Sequence, residues 1–227
     1  FFSGEPSNGV STPKFKIVKM DRKHFLKKFG LGIFAVTSLS SSCQAEDDIT
    51  PGQEDCKLTG EDALGPFFVA GSANLVNLNT QNLPGMPMLM TGKVFGGEGT
   101  ENPIEGAKIE IWHADDNGAY HPEGSGDVSD YPPSEVTLRG FVITEADGSF
   151  AFQSIRPGLY GSRARHLHYK ITAEGYEELV TQSYFEGDNR IPLDGLAHDA
   201  GDCRIVAYTE DGNGGISGVM NFNLRKV

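Results

Sequence analysis

A chain of 227 residues, 38% of them hydrophobic, holds enough apolar material for one core and a short appendage. Its formal charge is −12, and since the first 43 residues carry seven Lys and Arg against two acids, the remainder has 12 basic and 29 acidic residues, or −17. That balance weighs against nucleic acid or an anionic membrane surface as a partner. The 29 Gly and 12 Pro, set between many short apolar runs, favour strands and loops over long helices.

In chain order, residues 1–19 read as upstream sequence before a start at Met20. Residues 20–43 have a basic opening (Arg22, Lys23, Lys27, Lys28), a short apolar run and small residues before Cys43, which is the pattern of an export signal and too short an apolar run to remain across a bilayer. Arg22-Lys23-His24-Phe25-Leu26-Lys27 resembles a twin-arginine signal with one Arg replaced by Lys, which suits export of a protein already folded. Ser40-Ser41-Ser42-Cys43 resembles a lipobox, so the expected location is outside the cytoplasm, with a lipid on Cys43 as the only tie to a membrane. Residues 44–57, with Glu46-Asp47-Asp48 and Pro51-Gly52, read as a solvated tether. The other two cysteines, Cys56 and Cys203, form either a disulfide permitted by an oxidising compartment or two buried thiols.

A single domain is expected over 58–227. It opens with Leu58 to Phe68, where Gly65-Pro66 punctuates a short turn of helix or coil, and continues through an Asn-rich loop to Met86. Short runs rich in β-branched and aromatic residues follow: Leu89 to Phe95, Ala107 to His113, Leu138 to Thr144, Ser149 to Ile155, Leu167 to Thr172, Leu179 to Phe185, Arg204 to Thr209 and Gly218 to Leu224. About eight strands with little helix imply an all-β fold, an antiparallel β-sandwich with long active-site loops. Asp147-Gly148 predicts a hairpin, Asp115 to Gly118 a turn after the strand carrying Trp112, and 121–136 an irregular polar loop close to the site.

His166 and His168 lie two apart on a predicted strand, so both rings reach the same face. Two convergent imidazoles suit a metal, but a pair on a solvated strand face fits a bare H-x-H equally well.

The surrounding residues decide between these. Leu58-Thr59 with Gly65-Pro66-Phe67, then Gly106-Ala107 through Ile111-Trp112 to Gly118 and Tyr120, then Arg139-Gly140 through Asp147-Gly148 to Pro157-Gly158 and Tyr160, and finally Arg163-x-x-His166-x-His168 with Gln182, occur in one order. This arrangement resembles the intradiol ring-cleavage dioxygenases, non-haem ferric enzymes that open catechols between the hydroxyl-bearing carbons. The resemblance implies that Tyr120, Tyr160, His166 and His168 bind Fe(III). It implies a catechol-type substrate and O2, with Tyr160 as the ligand that the substrate displaces and as a base, Arg163 stabilising developing negative charge, and Gln182 as an amide near the same position. Two tyrosinates suit a hard ferric ion, since a cation stabilises the phenolate. His113, His121, His198 and Arg165 are further candidates for substrate contact. Only five residues separate Tyr160 from His166, fewer than in the better-known bacterial members, which leaves the iron more open. The family's long helical dimerisation segment has no counterpart, and the chain looks like an exported, single-domain branch. The competing reading is a non-catalytic extracellular β-sandwich binding module with a vestigial metal site.

Overall fold

A computed structural model describes residues 57–227. The expected export signal, the lipobox at Cys43 and the tether as far as Cys56 lie outside these residues. The described residues contain twelve strands: β1 (Val69–Ala70), β2 (Pro87–Gly96), β3 (Lys108–Trp112), β4 (Gly126–Asp127), β5 (Arg139–Ile143), β6 (Ser149–Ile155), β7 (His166–Thr172), β8 (Leu179–Phe185), β9 (Ile205–Val206), β10 (Tyr208–Glu210), β11 (Ile216–Val219) and β12 (Phe222–Leu224). The only helical elements among them are four single 3-10 turns, so no helix is long and apolar enough to cross a membrane.

Two five-stranded sheets face each other, as the strand pattern predicts. One runs β5-β3-β7-β8-β9; the other is built on β2, which pairs with β6 along one edge and with β11 and β12 along the other. The period of two sends Met88, Met90 and Val94 of β2, Phe150 and Phe152 of β6, Ile109 and Ile111 of β3, and Leu167, Tyr169 and Ile171 of β7 into one core. Pairing within the sandwich is mixed: β2 is antiparallel to β6 but parallel to β11 and β12, and β8 is parallel to β9.

Three local expectations are revised. The Asp147-Gly148 turn forms, with Gly148 N–H donating to Glu145 C=O at 2.9 Å, but it makes no hairpin. β5 pairs with β3 and β6 with β2, so the turn carries the chain from one sheet to the other. The run at 218–224 breaks into β11 and β12 where the edge crosses Gly92; a Cβ on Gly92 would overlap the Met220 carbonyl, and Asn221 Oδ1 accepts from Lys93 N–H at 2.9 Å. The run at 204–209 also divides, β9 pairing with β8 and β10 with β11. Cys203, just before β9, is disulfide-bonded; its expected partner Cys56 is outside the described residues.

Candidate metal centre

With Ile109, Ile111, Leu167 and Tyr169 in the core, the alternate residues of β3 and β7 face away from the opposite sheet. Strand register aligns Arg139 of β5, Trp112 of β3, His168 of β7 and Gln182 of β8 in one row, and places His166 opposite Tyr184 in the next. This face is covered by residues 59–68, which are held to β8: Thr181 Oγ1 donates to the Gly60 carbonyl and Gln182 Nε2 to the Ala63 carbonyl, both at 2.7 Å. Arg139 adds a clamp, donating from Nη1 to the Phe67 carbonyl at 3.0 Å and from Nε to the His121 carbonyl at 2.7 Å. The expected helical turn or coil around Gly65-Pro66 is thus a strap over the site, and the 121–136 loop, which contains two 3-10 turns, is tied to the same arginine.

Tyr120 and Tyr160 are brought together by two loops that cross at backbone contact. Asp115 C=O accepts from Gly118 N–H at 3.0 Å and from Gly158 N–H at 2.7 Å. A Cβ on Gly158 would overlap the Asp116 carbonyl, and one on Gly118, whose φ is +90°, would overlap the Leu159 carbonyl. The two tyrosine rings consequently meet edge to face, with centroids 5.5 Å apart.

Three of the four expected ligand atoms converge. Tyr120 Oη lies 3.0 Å from His166 Nε2 and 3.1 Å from His168 Nε2. Tyr160 stands on the solvent side, 37% exposed, its ring packed edge-on against Tyr120 and Phe67; among the described residues its hydroxyl makes no hydrogen bond to the other three. His166 Nδ1 donates to the Ala164 carbonyl at 2.7 Å, which leaves the Nε2 lone pair directed at Tyr120. Burial lowers the His166 pKa to about 4 and that of His168 well below the usual imidazole range, so both rings are neutral at neutral pH, as ligands must be. Burial also pushes the Tyr120 phenol well above its usual value against the pull of Arg163, so it needs an adjacent cation to ionise. Two neutral imidazoles and two phenols are a donor set that fits a hard trivalent cation. No group of three or more His, Cys, Asp and Glu among the described residues is placed to hold a metal, which leaves the tyrosine-containing set as the candidate.

Arg163 and Gln182 are adjacent, as the sequence reading requires, but they act on each other. Arg163 Nη2 donates to Gln182 Oε1 at 2.8 Å, and Arg163 Nε donates to Asp194 Oδ2 at 2.8 Å. With its amide nitrogen on Ala63 C=O, Gln182 has both ends engaged and holds the guanidinium. Behind them Tyr184 donates to Asp62 Oδ2 at 2.7 Å, and Asp62 forms a buried ion pair with Arg204. Asp62, Asp194 and Arg204 have no spacing motif that marks them in sequence, and Tyr184, which stands in the same motif as Gln182, reads there as a packing or surface residue. Arg139 and Trp112 stand inside recognised motifs, and only strand register shows what they touch.

The remaining candidates do not face the centre. His113 is fully buried, its Nδ1 on the Ala114 carbonyl and its Nε2 on Ser154 Oγ, both at 2.7 Å, and burial lowers its pKa to about 4. His121 pairs with Asp115 at 3.0 Å, His198 with Asp199 at the surface, and Arg165 with Asp188 at 3.4 Å.

A family model described as "Dioxygenase" matches residues 64–225. The chain is 32% identical over 184 residues to chlorocatechol 1,2-dioxygenase from Rhodococcus opacus, covering 70% of this chain and 69% of that protein. It is 30% identical over 145 residues to catechol 1,2-dioxygenase 2 from Acinetobacter lwoffii, spanning only 50% of that protein's length. Among solved structures it resembles the dioxygenase domain of a dioxygenase carbohydrate-binding protein fusion from Streptomyces sp. SirexAA-E, with a TM-score of 0.64, 33% identity and coverage of 75% of this chain and 99% of the other. Catechol 1,2-dioxygenase from Pseudomonas arvilla C-1 superposes with a TM-score of 0.61 at 28% identity, covering 74% of this chain and 62% of that one. A family match over most of the domain, joined to this fold and this gathering of phenol and imidazole, means that the chain belongs to the intradiol ring-cleavage dioxygenase family.

Proposed function

We propose that this protein is an Fe(III)-dependent dioxygenase that opens the ring of catechol-type diols between the hydroxyl-bearing carbons with O2, giving muconate-type diacids. The observation that carries the reading is the convergence of the buried Tyr120 Oη on His166 Nε2 and His168 Nε2 within 3.1 Å, with Arg163 bonded to Gln182, the neighbour of His168. Tyr120, Tyr160, His166 and His168 would hold the metal, and ferric iron in that site would supply a Lewis acid for the catecholate and activate its ring toward O2.

The chain's own residues divide the remaining work. Tyr160, the more exposed of the two tyrosines, would be the ligand free to give way, and as a phenolate its Oη would accept one proton from the entering diol and become the neutral phenol. Tyr120, buried under Phe67 with rings stacked at 4.2 Å, stays in place. Arg163, fixed by Asp194 and Gln182, offsets negative charge that develops on the substrate. The strap carrying Phe67 and Phe68 keeps bulk water from the inner side of the site. Exposure of Tyr160 agrees with the short 160–166 segment and with a site open on that side.

Purified protein loaded with ferric iron should be burgundy from tyrosinate-to-iron charge transfer and should consume O2 with members of a catechol panel. A colourless protein with stoichiometric zinc, and no O2 uptake after iron loading, refutes the proposal. From residues 20–43 we further infer export, with lipid attachment at Cys43 as the membrane tie. Metabolic labelling with palmitate should mark the wild-type protein and not Cys43→Ser; label on both, or on neither, refutes the anchor.

A further inference from the structure

His166 and His168 are oriented by different means. His166 follows the usual rule for a metal-binding imidazole: its second nitrogen donates to a backbone carbonyl, that of Ala164, and the bond sets the ring. His168 does not. Its buried Nδ1 makes no hydrogen bond of ordinary geometry; it faces the Ala63 carbonyl, which contributes only weakly to it and whose short bond is to Gln182 Nε2.

Packing confines the ring nonetheless. The Trp112 indole lies against it almost parallel, with centroids 4.9 Å apart and planes 8° from each other. Gly65 abuts the Cε1 edge so closely that a Cβ there would come within 3.0 Å of Cε1. The His166 ring meets it at 76° with centroids 4.8 Å apart. Trp112 cannot drift from this position, because it is His168's direct partner across the antiparallel pair β3–β7 and is backed by the Phe68 ring at 5.0 Å.

We propose that Trp112 is a positioning residue for His168, its indole, with Gly65 at the imidazole edge, setting the ring orientation that a hydrogen bond sets for His166. This rests on the reading of His168 as an iron ligand. It makes the two histidines unequal: His166 is set by a short bond to a carbonyl, and His168, whose acceptor lies outside ordinary hydrogen-bond geometry, is set chiefly by shape. It also puts the only tryptophan of the chain one ring away from the metal, so tryptophan emission, excited selectively over the seven tyrosines, reports on this site alone.

The test compares the full chain with Trp112→Phe, Trp112→Leu and Gly65→Ala, each stripped and titrated with ferric iron while the charge-transfer band is recorded. Wild-type emission should be quenched as iron binds. Trp112→Phe, which keeps a flat ring on His168, should bind close to wild type, whereas Trp112→Leu should bind ~10–100-fold more weakly, with a shifted band, as loss of an outer partner of a ligating histidine does. Gly65→Ala presses on the same imidazole edge without removing the indole, although at a φ of +74° it also strains the strap, and it should weaken binding and alter quenching even where Trp112→Leu fails to fold. Wild-type affinity and an unshifted band in both Trp112→Leu and Gly65→Ala would overturn the positioning role and leave the metal site standing. A wild-type protein that takes up no iron, with no quenching, would overturn the site itself and this role with it.

Discussion

Asp194→Asn tests the support of Arg163 most directly. The Asp194 carboxylate is buried and accepts four hydrogen bonds: Arg163 Nε and Ala164 N–H on Oδ2, both at 2.8 Å, and Leu196 N–H at 3.1 Å and Ala197 N–H at 3.4 Å on Oδ1. An asparagine retains one acceptor oxygen, so its amino group must face two of these donors. Breaking a fully buried ion pair costs about 3–5 kcal/mol. The Arg163 side chain is 23% exposed and regains some hydration, which brings the expected loss to about 2–4 kcal/mol. That loss lowers a urea midpoint by about 1–2 M. Burial alone would raise the Asp194 pKa, but Arg163 and the N–H groups of Ala164 and Leu196 hold it below the usual carboxylate range. A depressed folded-state pKa stabilises the protein fully above the unfolded value of about 3.9 and loses that contribution as pH falls through the folded one. The stability gap between wild type and Asp194→Asn should thus be constant from pH 7 to 5 and close in more acid solution. With the charge of its Nε anchor gone, Arg163 should also be held less firmly in aim, and kcat should fall by about tenfold or more. Equal midpoints at pH 7, or a gap unchanged at pH 3, would refute this account of Asp194.

The exposed and the buried candidate ligand, Tyr160 and His168, should separate in their effects. Tyr160→Phe should keep part of the iron, change the colour and slow turnover, while His168→Ala should lose iron; metal analysis and the visible spectrum decide, and equal iron content and rate in both variants would defeat the ligand assignment. Gly158→Ala forces a methyl into the Asp116 carbonyl where the two tyrosine loops cross, and should either abolish soluble protein or lower the urea midpoint by more than Asp194→Asn does. A well-folded Gly158→Ala protein with wild-type colour would show that the crossing tolerates separation.

The sequence exposes what is periodic and local. Alternation in Ile109-Glu110-Ile111 and Leu167-His168-Tyr169 is enough to separate a core face from a site face, and the bounds expected for Ser149 to Ile155 and Leu179 to Phe185 are those of β6 and β8. Pairing is another matter. Asp147-Gly148 carries a genuine turn signal, but a turn dictates only a reversal of direction; which sheet receives each strand depends on which apolar faces meet, and β6 finds β2 rather than β5. The split between β11 and β12 has its cause at Gly92, more than a hundred residues earlier. The site divides in the same way. Tyr120, Tyr160, His166 and His168 are marked by the motifs of the family resemblance, whereas Asp62 reaches Arg204 across 142 positions and Asp194 reaches Arg163 across 31, distances at which no local pattern exists. Trp112 was visible as a motif residue, but its stacking on His168 follows only from the β3–β7 register.

An acidic protein proposed to bind a catecholate requires an electrostatic explanation, and the layout around the candidate centre supplies one. A net −12 would oppose an anionic ligand if its carboxylates faced the site unbalanced. The two buried acids nearest the centre are each matched by a guanidinium, Asp194 by Arg163 and Asp62 by Arg204. Asp188, the next along, is bonded by Arg165 and by the Arg165 backbone N–H. The row that carries His168 contains no carboxylate; it runs from Arg139 through Trp112 and His168 to Gln182. The excess acid is thus kept to the solvated surface, where salt screens it within about 8–10 Å. The ligand side chains themselves are neutral until a cation arrives, the imidazoles because burial suppresses protonation and Tyr120 because burial suppresses ionisation. With the proposed metal bound, the local field would be set by that cation and by Arg163, so an acidic chain can present an anion-accepting site without a basic surface.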